Sequence, residues 1–178
     1  AMEIKNLKDM TAVSSLTKLE HLYLGQTALT SLKGVETLTS LKTLDVSNCA
    51  VTDVSAVTAL SNLEELLLSG NKLENLESLA SMTQLKTLDV SANALKDISA
   101  IKELTSLTAI SLSENKDLED VSVLAGMTKL KTLYLSDTAV KDVDFVSGMT
   151  ALTALNVSTT KVTKLPDLSA LKELTTLN

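Results

Sequence analysis

Residues 63–73 read Leu63-Glu64-Glu65-Leu66-Leu67-Leu68-Ser69-Gly70-Asn71-Lys72-Leu73, and the fold follows from this stretch. Leu66 and Leu68 recur with the period of two that marks a strand, so they face a core while Glu65, Leu67 and Ser69 face out. The same pattern, LxxLxLxx followed by Asn, Thr or Cys, begins again at Leu19, Leu41, Leu85, Leu107, Leu130 and Leu152. Most units hold 22 residues, and the fifth holds 23 through one extra residue in Lys116-Asp117-Leu118. With a partial unit over 1–18 and a truncated one over 174–178, residues 1–178 read as a single repeat domain.

Past the strand, the aliphatic spacing changes to three: Val54, Val57, Leu60, Leu63, and likewise Ile98, Ile101, Leu104, Leu107. That period predicts tight 3₁₀ turns or extended segments rather than α-helix. Ser55, Ser99, Ser122 and Asp144 stand where a side-chain oxygen would cap such a turn. Equivalent strands joined by long returns must be parallel neighbours, and the crossover rule makes the coil right-handed. The predicted class is an α/β solenoid, with a concave parallel sheet of about eight short strands and 3₁₀ or extended convex returns.

Composition agrees and excludes several functions. The 36 Leu stand against one Phe, two Tyr and no Trp, so aliphatic packing must build the core. The net charge is −6 and the 16 cations are all Lys, so the arginine forks that grip phosphate are missing and nucleic acid is not an expected partner. Cys49 is the only cysteine, which rules out an internal disulfide or a multi-thiolate zinc site. No apolar run approaches the ~18 to 20 residues of a membrane span.

The position after LxxLxLxx holds Thr27, Cys49, Asn71, Asn93, Asn115, Thr138 and Thr160. A buried Asn there can bond the backbone of two adjacent coils, which Thr does in part and Cys less well. This column is read as a structural ladder.

The unit LxxLxLxxNxLxD[IV]SxLxxLTx, seen over 85–106 and 41–62, resembles the 22-residue leucine-rich repeats of bacterial internalins and similar Gram-positive surface proteins. The 43 Ser and Thr favour that group over the cytoplasmic regulatory subunit of protein phosphatase 1, whose units are similar. The resemblance implies a non-catalytic adhesion or recognition module of a cell-surface or secreted protein that binds a macromolecule on its concave face. The helical cap, the immunoglobulin-like flank and the sorting signal of internalins are not seen in these 178 residues. Two other readings are a cytoplasmic scaffold regulating an enzyme such as a phosphatase, and a rigid spacer for a flanking domain.

On the outward face the middle column reads Tyr23, Asp45, Leu67, Asp89, Ser111, Tyr134, Asn156 and Asn178, flanked by His21, Thr43, Glu65, Thr87, Ala109, Thr132, Ala154 and Thr176. Tyr23, Asp45, Glu65, Leu67, Asp89, Tyr134 and Asn156 are the candidate ligand-binding residues. Tyr23 and Tyr134 are hot-spot types about five strands, or roughly 24 Å, apart, which suits a protein or extended glycan rather than one small molecule. The acids Asp45, Glu65 and Asp89 favour a basic partner. An open sheet neither excludes water nor separates two carboxyl pKa values, so acid/base catalysis is not expected, nor is any cofactor or metal. Phe145 is read as pointing out from the convex side, and Gly126 and Gly148 as giving room in their returns. The chain as given starts mid-unit at Leu7, Met10, Val13 and Leu16 and stops in a strand at Leu177, so exposed edges and end-to-end self-association are expected.

Overall fold

The computed structural model describes residues 7–178. Eight strands lie in chain order in one parallel sheet. They are β1 (His21–Tyr23), β2 (Thr43–Asp45), β3 (Glu65–Leu67), β4 (Thr87–Asp89), β5 (Ala109–Ser111), β6 (Thr132–Tyr134), β7 (Ala154–Asn156) and β8 (Thr176–Leu177). Register follows the repeat: Leu22 pairs Leu44, Leu44 pairs Leu66 and Leu66 pairs Leu88. The extra residue of the fifth unit falls outside the strands, so Ile110 still pairs Leu133. It is absorbed in a turn where the Leu118 N–H donates to the Asn115 carbonyl at 3.0 Å.

The returns hold short 3₁₀ turns, at Val35–Thr37, Ser55–Ala59, Glu77–Leu79, Ser99–Ile101, Ser122–Gly126 and Asp144–Gly148, with one more at Thr11–Val13. Among the described residues there is no α-helix. Spacing of three turns one aliphatic per turn inward, and Val57, Leu79, Ile101, Leu124 and Val146 are all buried. They meet the middle residue of each strand, from Leu22 to Leu155, in one continuous aliphatic core. Each coil buries its apolar face only against its neighbours, so the stack is held by a sum of adjacent interfaces. Leu16, Leu165 and Leu177, in the outermost coils, are among the exposed large apolar side chains.

Three expectations need correction. The serines after the first aliphatic of a return do not cap its turn. The preceding aspartates do: Asp53, Asp97 and Asp120 each accept the N–H of the residue two further on, Ser55, Ser99 and Ser122, at 2.7–2.8 Å. Asp142 serves Asp144 in the same way at 2.7 Å. A carboxylate two residues upstream closes an Asx-turn that a serine at the turn itself cannot reach. Phe145 does not project freely from the convex side, because its ring is half-buried against the core. A Cβ at Gly126 or Gly148 would meet nothing within 4 Å, so neither glycine is there to make room. Gly34 is sterically constrained instead: its φ is +100° and a Cβ would lie 2.7 Å from the Met10 carbonyl carbon.

Candidate functional site

The outward sheet face is built from every second residue of each strand, so its columns are set by the register. Leu67, Asp89, Ser111 and Tyr134 lie side by side across β3, β4, β5 and β6. Glu65, Thr87, Ala109 and Thr132 form the parallel row next to them. The outward pair on β5, Ala109 and Ser111, is small, whereas its neighbours carry Asp89 on one side and Tyr134 on the other. A shallow depression of about 220 Å³ results, lined by Leu67, Asp89, Ala109, Ser111, Thr132 and Tyr134 among others. Three of the sequence candidates, Leu67, Asp89 and Tyr134, are thus brought to one place. Ala109, Ser111 and Thr132 complete it and were missed because small residues carry no hot-spot signal of their own.

The remaining candidates lie apart. Among the described residues Tyr23 on β1 is the most exposed large apolar one, at 63%, and it lines none of this depression. Asp45 is separated from Asp89 by Leu67 in the column order, so the three acids do not form one cluster. Asn156 lies on β7, beyond Tyr134. Asp45, Asp89 and Asn156 also brace the chain just past their strands, since each Oδ1 accepts the N–H of the serine two residues on, at 2.8–2.9 Å. In Asp89 that oxygen also accepts the Ser91 hydroxyl at 2.6 Å, while Oδ2 accepts no hydrogen bond among the described residues.

Thr43, expected on the open flank, is buried. Its neighbours in register close over it: its hydroxyl donates to Glu65 Oε2 at 3.1 Å, and His21 Nδ1 lies 3.1 Å from Thr43 Oγ1. Since the hydroxyl hydrogen is spent on Glu65, the imidazole donates to Thr43 through Nδ1.

Behind the face, the ladder supports the strand ends. Asn71 donates to the Val46 and Leu68 carbonyls, both at 2.9 Å, and accepts the Val51 N–H at 3.0 Å. Asn93 repeats this with Leu68, Val90 and Leu73, and Asn115 with Val90, Leu112 and Leu95. Thr27, Thr138 and Thr160 each donate only to the carbonyl three residues back, at 2.7–2.9 Å. The Cys49 thiol is 3.6 Å from the Leu24 carbonyl. One residue before this ladder the backbone turns left-handed, with φ between 50° and 66° at Gln26, Asn48, Gly70, Ala92, Glu114, Asp137 and Thr159. Only Gly70 takes that conformation without steric cost. Residue type does not point to this column, because most of its members are not turn formers.

Charge is segregated. None of the 16 Lys occupies an outward strand position, and the face carries Asp45, Glu65 and Asp89. Lys42, Lys86 and Lys131 stand one residue before β2, β4 and β6. Lys42 pairs with Glu20 at 2.6 Å and Lys86 with Glu64 at 2.7 Å. The Lys42 hydrogen bond holds the Glu20 carboxyl below its ordinary value, and Glu20 raises Lys42 in return. Among the described residues no three His, Cys, Asp or Glu side chains gather as a metal site, and no helix is long and apolar enough to cross a membrane.

A parallel ribbon of coils about 22 residues long, with an inward leucine at the centre of β1 to β4, β6 and β7 and Ile110 at that of β5, defines a leucine-rich repeat solenoid. The chain belongs to the leucine-rich repeat family, whose profile for a leucine-rich repeat region matches residues 2–178. Comparison with curated proteins gave no match. Among solved structures the chain is similar to internalin C2 of Listeria monocytogenes, at 27% identity and a TM-score of 0.87, over 92% of this chain and 72% of that one. It is similar to the functional domain of InlJ from the same organism, described as including a cysteine ladder, at 30% identity and TM-score 0.86, covering 96% and 36%. A leucine-rich repeat protein of Leptospira interrogans aligns at 28% identity and TM-score 0.87, covering 94% and 44%. The chain therefore spans less than half of the last two. Leucine-rich repeat proteins are in general binding modules that present an extended face to other proteins.

Proposed function

We propose that this chain is a non-catalytic recognition module that binds a macromolecular partner, a protein or an extended glycan, across its sheet face. The observation that carries the reading is the depression between Leu67 and Tyr134, set in a face from which every lysine has been kept away. Its shallow, open form suits contact with a large surface rather than enclosure of a small substrate. Internalin-like units and bacterial structural neighbours support a place at the bacterial surface or outside the cell.

The test is capture of surface-extract proteins by the immobilised chain and by its tyrosine variants. Tyr134→Ala should weaken capture by roughly tenfold or more, the weight of an interface anchor, while leaving the melting profile in place. Tyr23→Ala should have a smaller effect. Unchanged capture by both variants removes the sheet face from the reading. Capture by a longer protein containing these repeats, but not by the repeats alone, makes them a spacer.

A further inference from the structure

We propose that the depression across β3–β6 receives one cationic side chain of the partner, an arginine, with its stem on Leu67 and Ala109 and its head between Asp89 and Tyr134. This deepens the sheet-face reading and rests on it. Four observations converge. The volume, about 220 Å³, falls below the ~300 to 1,000 Å³ of ligand pockets and has room for one long side chain. Leu67 and Ala109 offer apolar surface of the kind an arginine stem covers. Tyr134 is 39% exposed and offers the aromatic surface on which a guanidinium stacks. Asp89 presents an unoccupied Oδ2, its other oxygen being engaged by Ser91.

The surrounding charge points the same way. Glu114 and Asp137 stand exposed three residues beyond Ser111 and Tyr134, Lys86 is paired with Glu64, and Lys131 stands outside the strand that carries Tyr134. Lysine would satisfy Asp89 but not the stacking contact, because its compact ammonium lacks the planar face.

The experiment is NMR titration of the whole chain with two capped tripeptides, Gly-Arg-Gly and its neutral isostere Gly-citrulline-Gly, following the Ala109 and Leu67 methyl groups. The arginine peptide should shift both and bind roughly three to ten times more tightly than the citrulline peptide, an effect that added salt reduces. Asp89→Asn should abolish that difference. The variant keeps its turn, because Asn156 in the same column already makes the equivalent bonds to Ser158 at 2.9 and 2.7 Å. Equal binding of the two peptides, or no shift at Ala109 and Leu67, overturns the proposal. Shifts confined to Tyr23 and its neighbours discard this subsite but leave the sheet-face reading standing. Shifts confined to the convex returns discard both.

Discussion

The two stretches of the sheet that carry a tyrosine are built differently. Around β1 and β2, Tyr23 stands out at the sheet edge, the flank is closed by the bonded row His21–Thr43–Glu65, and the backbone behind is held by Thr27 and Cys49. Across β3 to β6, the face dips beside Tyr134, and Asn71, Asn93 and Asn115 each bind four backbone groups behind β3 to β5. The greater exposure belongs to Tyr23, yet the shaped surface belongs to Tyr134. An exposed aromatic becomes an anchor site only where small neighbours leave room and a rigid backbone keeps that room open.

The largest stability difference between the two regions should come from the ladder. Asn115→Ala would leave the Leu95 N–H and the Leu112 carbonyl without their partner in a fully buried site, the Val90 carbonyl keeping its bond from Asn93, at a cost of about 2 to 4 kcal/mol. Thr27→Ala removes the bond to the Leu24 carbonyl and a weak contact with the Cys49 thiol at 3.4 Å, and should cost about 1 kcal/mol. Urea unfolding of both variants checks the ordering, and equal losses would erase the distinction. Cys49→Asn should move the weaker region toward the stronger one, by about 1 kcal/mol in the stabilising direction. The Leu29 N–H, which has no acceptor among the described residues, occupies the place of the Val51 N–H that Asn71 satisfies one coil later. A loss of stability in Cys49→Asn would show that the first coils cannot accommodate the ladder.

Acid should bring out a feature the two regions share. The Ser99, Ser122 and Ser169 N–H groups hold the carboxyls of Asp97, Asp120 and Asp167 below the ordinary value of 3.8, and Thr11 does the same for Asp9. Because the folded-state values are the lower ones, this contribution is fully present above about pH 4 and fades as pH falls through the lowered values. These aspartates should therefore give the melting temperature no pH dependence between pH 7 and 5, their contribution being constant there, and should let it drop below pH 4. Substituting Asp97 and Asp120 with alanine should flatten that drop.

Much of this is legible in the sequence. The 22-residue period dictates the strands, their parallel order and the 3₁₀ returns, because the inward leucines of one coil can be buried only by the next. The candidate site is legible in part. Leu67, Asp89 and Tyr134 stand out by residue type, but the depression depends on Ala109 and Ser111 being small, a property visible only once their neighbours are known. The burial of Thr43 is hidden for the related reason that its cover comes from adjacent strands. The left-handed column is hidden because stacking imposes it on residues such as Ala92 and Glu114, which do not prefer it.

The most direct test of the account is Ala109→Arg, which fills the depression with a cation of its own and leaves the buried core untouched. Capture of the partner should fall by at least about tenfold while the melting temperature holds, and the convex control Lys102→Glu should change neither. Full capture by Ala109→Arg together with loss in Lys102→Glu would place the binding surface on the opposite side of the coil and contradict the account.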